Sequence, residues 1–227
     1  MHKVKISEEI IERLMQRRGK VHIYSGVNPK TTAFVVIDMQ NAFCKPGAPV
    51  EVPSSRGIVG NINRLAEGLR NAGGDVIWIT TEITCKGNKT DWENLIQNIV
   101  AADVKEKTIA SMAPGSDGVK LWHELDLREE DIYLVKNRYS CLAPSACTLE
   151  RVLRSRGIDT LLIGGTKTNV CCETAARNAF DLDFNVIMVS DCNSALSDRE
   201  HLAALETLIQ QFGDVLDSTQ VLQMIEN

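Results

Sequence analysis

Residues 32–38 read Thr-Ala-Phe-Val-Val-Ile-Asp (TAFVVID): five apolar residues in a row, three of them β-branched, closed by a carboxylate at Asp38. A strand that is apolar on both faces suits a parallel sheet covered by helices on both sides. The same kind of run returns at Asp75–Thr80 (DVIWIT), Ile132–Lys136 (IYLVK), Thr160–Gly164 (TLLIG) and Asn185–Ser190 (NVIMVS), with a shorter one at Asp214–Leu216. Between these runs lie amphipathic stretches that predict helices over Gly57–Ala72, Asp117–Leu125, Cys147–Arg156, Asn169–Leu182 and Asp198–Phe212. Gly73-Gly74 and Gly157 supply helix stops. Repeated β–α alternation predicts an α/β fold of three layers, α/β/α, on a mainly parallel sheet.

Two segments stand outside the alternation. Ser7–Arg18 (SEEIIERLMQRR) has a capping serine, acids in its first turn and bases in its last, which predicts a helix. Ile83–Ser116 holds Gly87-Asn88, a predicted short helix at Asp91–Val100, and Pro114-Gly115, and reads as a long insertion of the kind that covers sites. The expected organisation is an N-terminal helical extension over residues 1–30 and one α/β domain over residues 31–227.

Composition narrows the function. The 227 residues carry 25 Lys and Arg against 30 Asp and Glu, a net charge of −5, so no basic surface for nucleic acid or anionic lipid is expected. The longest apolar runs fall well short of the ~20 residues of a membrane span. The charged N-terminus lacks the apolar core of an export signal, and a cytoplasmic protein is expected. Seven cysteines, an odd number without a CxxC, are then expected as reduced thiols. The four histidines (His2, His22, His123, His201) are scattered with no zinc-type spacing, so neither metal nor cofactor is expected.

In open α/β sheets ligands bind beyond the carboxyl ends of the strands. Those ends carry Asp38, Thr80–Glu82, Lys136, Gly164–Thr168 and Ser190-Asp191. The segment Gly164-Gly165-Thr166-Lys167-Thr168-Asn169-Val170-Cys171-Cys172 is not a phosphate loop, because that motif needs glycines where Leu161 and Thr166 stand, and no GxGxxG occurs. Its cysteines read either as small buried apolar residues or as a nucleophile at a helix N-terminus. There the helix dipole favours a thiolate and backbone N–H groups favour an oxyanion. No histidine sits at a strand end. The available titratable partners are Asp38, which can take and return a proton, and Lys136, which offsets its charge.

Three pieces in this order resemble the isochorismatase-like cysteine hydrolases: Val35–Phe43 (VVIDMQNAF), Val135–Ser140 (VKNRYS) and Gly165–Ala179 (GTKTNVCCETAARNA). The likeness spans roughly residues 32–217 and is strongest to the ureidoacrylate and N-carbamoyl amidohydrolase branch. It implies a six-stranded sheet in the order 3-2-1-4-5-6. It also implies a triad of Cys171 as nucleophile, Asp38 as general base and then acid, and Lys136 as electrostatic support, with Cys172 at a position usually held by a small apolar residue. A non-proline cis peptide at Thr166–Lys167 and an oxyanion hole from the backbone N–H groups of Lys167 and Cys171 are implied as well. Phe43, Gln40, Tyr139 and Lys167 become candidates for substrate contact. Relatives are commonly dimers or tetramers, so a homo-oligomer is expected.

Two departures shape the expected activity. True isochorismatases lack the cysteine present here as Cys171, and nicotinamidases carry metal-binding histidines where this chain has Thr80-Thr81-Glu82-Ile83-Thr84-Cys85-Lys86. The expectation is a metal-independent cysteine amidohydrolase that cleaves a C–N bond of a small linear ureide or amide (ureidoacrylate-, biuret- or N-carbamoyl-like) through a thioester-type acyl-enzyme. The alternatives are a nicotinamidase- or carbamoylsarcosine-type amidase and, in another class, a non-catalytic thiol or redox-sensing protein on the same fold.

Overall fold

A computed structural model describes residues 2–226; Met1 and Asn227, the outer ends of the two expected segments, lie outside them. In chain order the helices are α1 Glu8–Arg18, α2 Asn41–Cys44, α3 Val59–Asn71, α4 Glu93–Asn98, α5 Lys105–Met112, α6 Leu149–Ser155, α7 Glu173–Asp181, α8 Asp198–Gln211 and α9 Ser218–Glu226. The strands are β1 Thr32–Ile37, β2 Asp75–Thr81, β3 Cys85–Lys86, β4 Lys89–Thr90, β5 Ile132–Lys136, β6 Thr160–Thr166, β7 Asn185–Ser194 and β8 Asp214–Leu216.

The main sheet has six strands in the order β5-β2-β1-β6-β7-β8, which is 3-2-1-4-5-6 counted within the sheet, and every pair is parallel. Alternation along β1 divides the core in two. Ala33, Val35 and Ile37 face one layer, with Leu149 and Leu153 of α6, Ala175 and Ala179 of α7, and Leu205 and Leu208 of α8. Phe34 and Val36 face the other, with Ile62, Leu65 and Leu69 of α3 and Val221 of α9. The N-terminal α1 lies on α8 and buries Ile10 and Leu14 in the first layer. A smaller cluster of Ala42, Phe43, Val52, Ile83, Ile96 and Met112 ties the 83–116 insertion to the end of β1. No helix among the described residues is long and apolar enough to cross a membrane.

Several local expectations change. The stretch Asp117–Leu125 is not a helix beyond a single turn at Asp117–Val119. It is held extended because Met39 O accepts from Trp122 N (2.8 Å), Lys120 O accepts from Asn41 N (2.8 Å), and Leu121 bridges Gln40. Tertiary backbone bonds override the helical period there. β5 is not covered on both faces: it is an edge strand, with Tyr133 and Val135 each nearly half exposed. The helix expected at 57–72 starts as a tight turn over Pro53–Ile58, and the one expected at 147–156 begins only at Leu149. α3 ends as expected: Gly73 takes φ +87° and Gly74 N closes onto Leu69 O (2.9 Å). β7 runs past Ser190 to Ser194 because its pairing with β6 slips between Ile163 and Gly165, and the Asn193 amide donates to Ile163 O and Val189 O (both 2.7 Å) across the gap. Unforeseen were α5, the hairpin of β3 and β4 around Gly87-Asn88, and α9. The last is announced by a reciprocal cap, with Asp217 Oδ1 accepting from Gln220 N and Gln220 Oε1 from Asp217 N.

Candidate active site

Strand order reverses between β1 and β6, so a crevice opens at their carboxyl ends, where α/β sheets bind ligands. Asp38 leaves β1 with φ +57°, a left-handed conformation that aspartate tolerates better than most residues, and its N–H is bonded to Ile79 O (2.8 Å). Gly165 of β6 passes directly beside it at φ +116°. A Cβ there would sit 2.0 Å from Ile37 O, so only glycine lets the two strand ends meet this closely. Past Gly165, the Thr166–Lys167 peptide bond is cis. The chain then makes one π-helical turn, Thr168–Cys172, that places Cys171 at the entry to α7. The bond from Cys172 N to Lys167 O (3.2 Å) closes this turn, and Lys167 and Cys171 flank the crevice just ahead of the regular helix.

The structure brings Asp38, Lys136 and Cys171 together in a water-excluded cluster. Lys136 Nζ lies 2.8 Å from Asp38 Oδ2, 2.5 Å from Thr81 Oγ1 and 3.7 Å from Cys171 Sγ, so each of its three N–H groups has a partner. Thr81 in turn donates to Asp38 Oδ1 (2.7 Å). All four residues are buried, and the Lys136 and Asp38 side chains are fully so. The Asp38 carboxylate holds the Lys136 ammonium firmly protonated against the cost of burial. The thiol behaves otherwise than the helix-terminus argument predicts. Burial, with Asp38 adding to it, pushes Cys171 up to about 12, and Lys136 offsets this only in part. Burial and the neighbouring Asp38 carboxylate thus both favour the protonated thiol over the thiolate.

Thr81, Lys136 and Cys171 of this cluster line the floor of a cavity of about 430 Å³, with Asp38 buried behind them. Of the expected contact residues, Phe43, Tyr139 and Lys167 line it. No acidic side chain among the described residues pairs with the Lys167 ammonium. Tyr139 stands edge-on to Trp92 at 4.7 Å, and the Arg138 guanidinium lies over the other ring at 5.3 Å, which fixes an aromatic wall. Gln40 does not reach the cavity, contrary to expectation. Its amide is fully buried, accepting from Thr81 N (2.6 Å) and donating to Thr81 O and Gly118 O (both 3.1 Å). It replaces the strand pairing that β1 gives up where Asp38 turns away, and so fixes Thr81. In sequence Thr81 is one of several polar residues at a strand end, but its position, two and four residues after Ile79 and Ile77 on one face of β2, marks it as facing the same side. Among the described residues no three His, Cys, Asp or Glu side chains gather into a metal-binding group, and all seven cysteines are free thiols.

Residues 32–220 match the Isochorismatase domain family. The chain is 32% identical over 201 residues to the ureidoacrylate amidohydrolase RutB of Caulobacter segnis, covering 82% of each. It is 30% identical over 176 residues to a protein of Arabidopsis thaliana named a probable inactive nicotinamidase, covering 77% of this chain and 86% of that one. Among solved structures, a cysteine hydrolase from Pseudomonas syringae pv. phaseolicola 1448A superposes with a TM-score of 0.80 at 30% identity, over 91% of this chain and 98% of the other. With the matched region spanning the whole sheet and the strand order of the fold, the chain belongs to the isochorismatase-like hydrolase family.

Proposed function

We propose that the protein is a cysteine amidohydrolase that cleaves the C–N bond of an amide or ureide. One observation carries this reading: a thiol, a carboxylate and an ammonium share a buried contact set, with Cys171 Sγ 3.7 Å from Lys136 Nζ and Lys136 2.8 Å from Asp38, and Cys171 and Lys136 line a cavity of about 430 Å³. A thiol held protonated needs a base in contact with it, and Asp38 is that base.

In the proposed reaction the thiol proton passes to Asp38 as sulfur adds to the substrate carbonyl. The oxyanion is met by the backbone N–H groups of Lys167 and Cys171. Collapse breaks the C–N bond, the leaving nitrogen takes the proton from Asp38, and a thioester remains. Water adds with its proton going to Asp38, the C–S bond breaks, and sulfur recovers the proton. Lys136 stays charged throughout and keeps the buried carboxylate from carrying an uncompensated charge. The likeness to a ureidoacrylate amidohydrolase supports this class of bond.

The test is ammonia release from a panel of amides and ureides by the wild type and by Cys171→Ser, with mass spectrometry of the wild type quenched during turnover. Activity that depends on Cys171, with an acyl mass on the peptide that contains it, bears the reading out. Full activity in the serine variant refutes it. The competing reading is a non-catalytic thiol protein, and it would be favoured by an inert panel together with reversible oxidation of Cys171.

A further inference from the structure

The cavity above the cluster is larger and more apolar than a short polar ureide requires. Its volume of about 430 Å³ equals that of roughly fourteen liquid waters and falls in the range that holds drug-sized ligands. The insertion builds much of its wall from Leu95, Ile99, Val100 and Val104, carried by α4, α5 and their connection. Ile99 is 71% exposed and Leu196, also on the lining, 57% exposed. Large apolar side chains held open to solvent at a cavity rim mark a surface that an apolar ligand covers.

The same wall contains one polar atom with nothing to bond. Thr108 of α5 is 1% exposed and lines the cavity, yet its hydroxyl oxygen has no hydrogen-bond partner, while its backbone N–H is satisfied by Val104 O (2.8 Å). Buried hydroxyls are ordinarily bonded, and an orphan one on a residue that lines a cavity has its hydrogen-bonding capacity left for a ligand. A valine would fill this position with the same shape and no unmet bond, so the hydroxyl contributes nothing to packing.

We propose that the substrate's organic part is a bulky apolar group, of aryl or branched-alkyl size, that carries an oxygen hydrogen-bonded to the Thr108 hydroxyl. This rests on the amidohydrolase reading for the bond that is cut and adds the substituent that selects it. The Trp92–Tyr139 wall suits a planar ring, and Thr108 distinguishes a ring with an oxygen from one without.

Two matched series test this on the full chain: N-carbamoylglycine, N-carbamoylphenylalanine and N-carbamoyltyrosine, and acetamide, 3-phenylpropanamide and 3-(4-hydroxyphenyl)propanamide. Ammonia release gives kcat/KM for the wild type, and calorimetry gives Kd with Cys171→Ser. In at least one series the ring should improve kcat/KM or Kd by roughly 10- to 100-fold. The ring hydroxyl should add about fivefold to tenfold more. Thr108→Val should erase the second gain and spare the first, and Thr108→Ser should keep both; Thr108→Ala replaces the valine variant if that one does not fold. Ring compounds that bind in this order without being cleaved would support the pocket and refute the amidohydrolase reading. Cleavage of N-carbamoylglycine or acetamide with no preference for the ring compounds would do the reverse. No binding of any ring compound at millimolar concentration, or a Thr108→Val loss equal for ring and hydroxy-ring members, overturns the proposal.

Discussion

Replacing Lys136 by methionine removes the ammonium and keeps much of the stem's volume. In the native fold this ammonium sits 2.8 Å from a carboxylate, and both side chains are inaccessible to water. With the ammonium gone, the Thr81 hydroxyl at 2.7 Å and the Cys171 thiol are the side-chain donors left to the Asp38 carboxylate among the described residues. Breaking a buried pair from one side costs about 3–5 kcal/mol, because the surviving charge has lost both water and partner. For a chain of this size each kcal/mol lowers Tm by roughly 2–4 °C, so Lys136→Met should melt about 6–20 °C below the wild type. The double variant Asp38→Asn/Lys136→Met removes both charges at once and should recover most of that loss, since exchanging a whole buried pair for neutral groups is often near neutral. Urea unfolding at pH 7, followed by circular dichroism on the wild type, both single variants and the double variant, measures the coupling directly. A single-variant cost below about 1 kcal/mol, or a double variant as unstable as the two singles summed, would refute the claim that the pair is a coupled, desolvated unit.

Other outcomes follow from the same geometry. Cys171→Ser should lower kcat by at least ~1000-fold while thermal unfolding stays close to the wild type, because only a buried thiol is exchanged for a hydroxyl. Lys167→Ala should reduce kcat/KM for carboxylated ureides roughly tenfold to a hundredfold and leave neutral amides nearly unchanged, since a charge-assisted contact contributes ~1.5–3 kcal/mol; an equal effect on both would leave only the backbone role. His201 is buried, stacked on His2 at 4.4 Å and bonded through Nδ1 to the Thr168 hydroxyl (2.8 Å). Burial first, then His2, lower it to about 4, with Asp198 opposing. The unfolded chain therefore takes up a proton below about pH 6.5 that the folded one refuses, so stability is full above that pH and falls toward pH 4. The loss should be about 2 kcal/mol at pH 5, and chemical denaturation at pH 7 and pH 5 should show it in the wild type and not in His201→Gln.

The sheet and the charges at its strand ends were readable because both signals are local. An apolar β-branched run that stops on a charge, as at Ile37-Asp38 and Val135-Lys136, reports a buried strand and an expensive residue at its end in the same few positions. A charge at the end of such a strand either turns to water or finds a partner. Asp38 and Lys136 find each other across β2, which lies between their strands. The edge position of β5 was hidden, since Ile132–Val135 reads as an unbroken run without a charge, and nothing in it says that the face carrying Tyr133 and Val135 stays open.

Gln40 and Thr108 show where such reading ends. Both are polar residues beside apolar ones, and each fits a ligand contact or a structural bond equally well from sequence. What separates them is where the chain's other backbone groups lie. Gln40 meets both backbone groups of Thr81 because β1 stops pairing at that level, and this consumes its amide. Thr108 rides on a helix whose place is set by the small cluster of Phe43, Ile96 and Met112, and that placement leaves its hydroxyl buried without a partner on a residue that lines the cavity. The residues that perform the proposed chemistry sit on the sheet, whose geometry is fixed by periodicity. Those proposed to choose the substrate sit on an insertion whose geometry is fixed only by what it lands against. A bond class could therefore be argued from the sequence, whereas the shape and polarity of the substituent required the folded cavity.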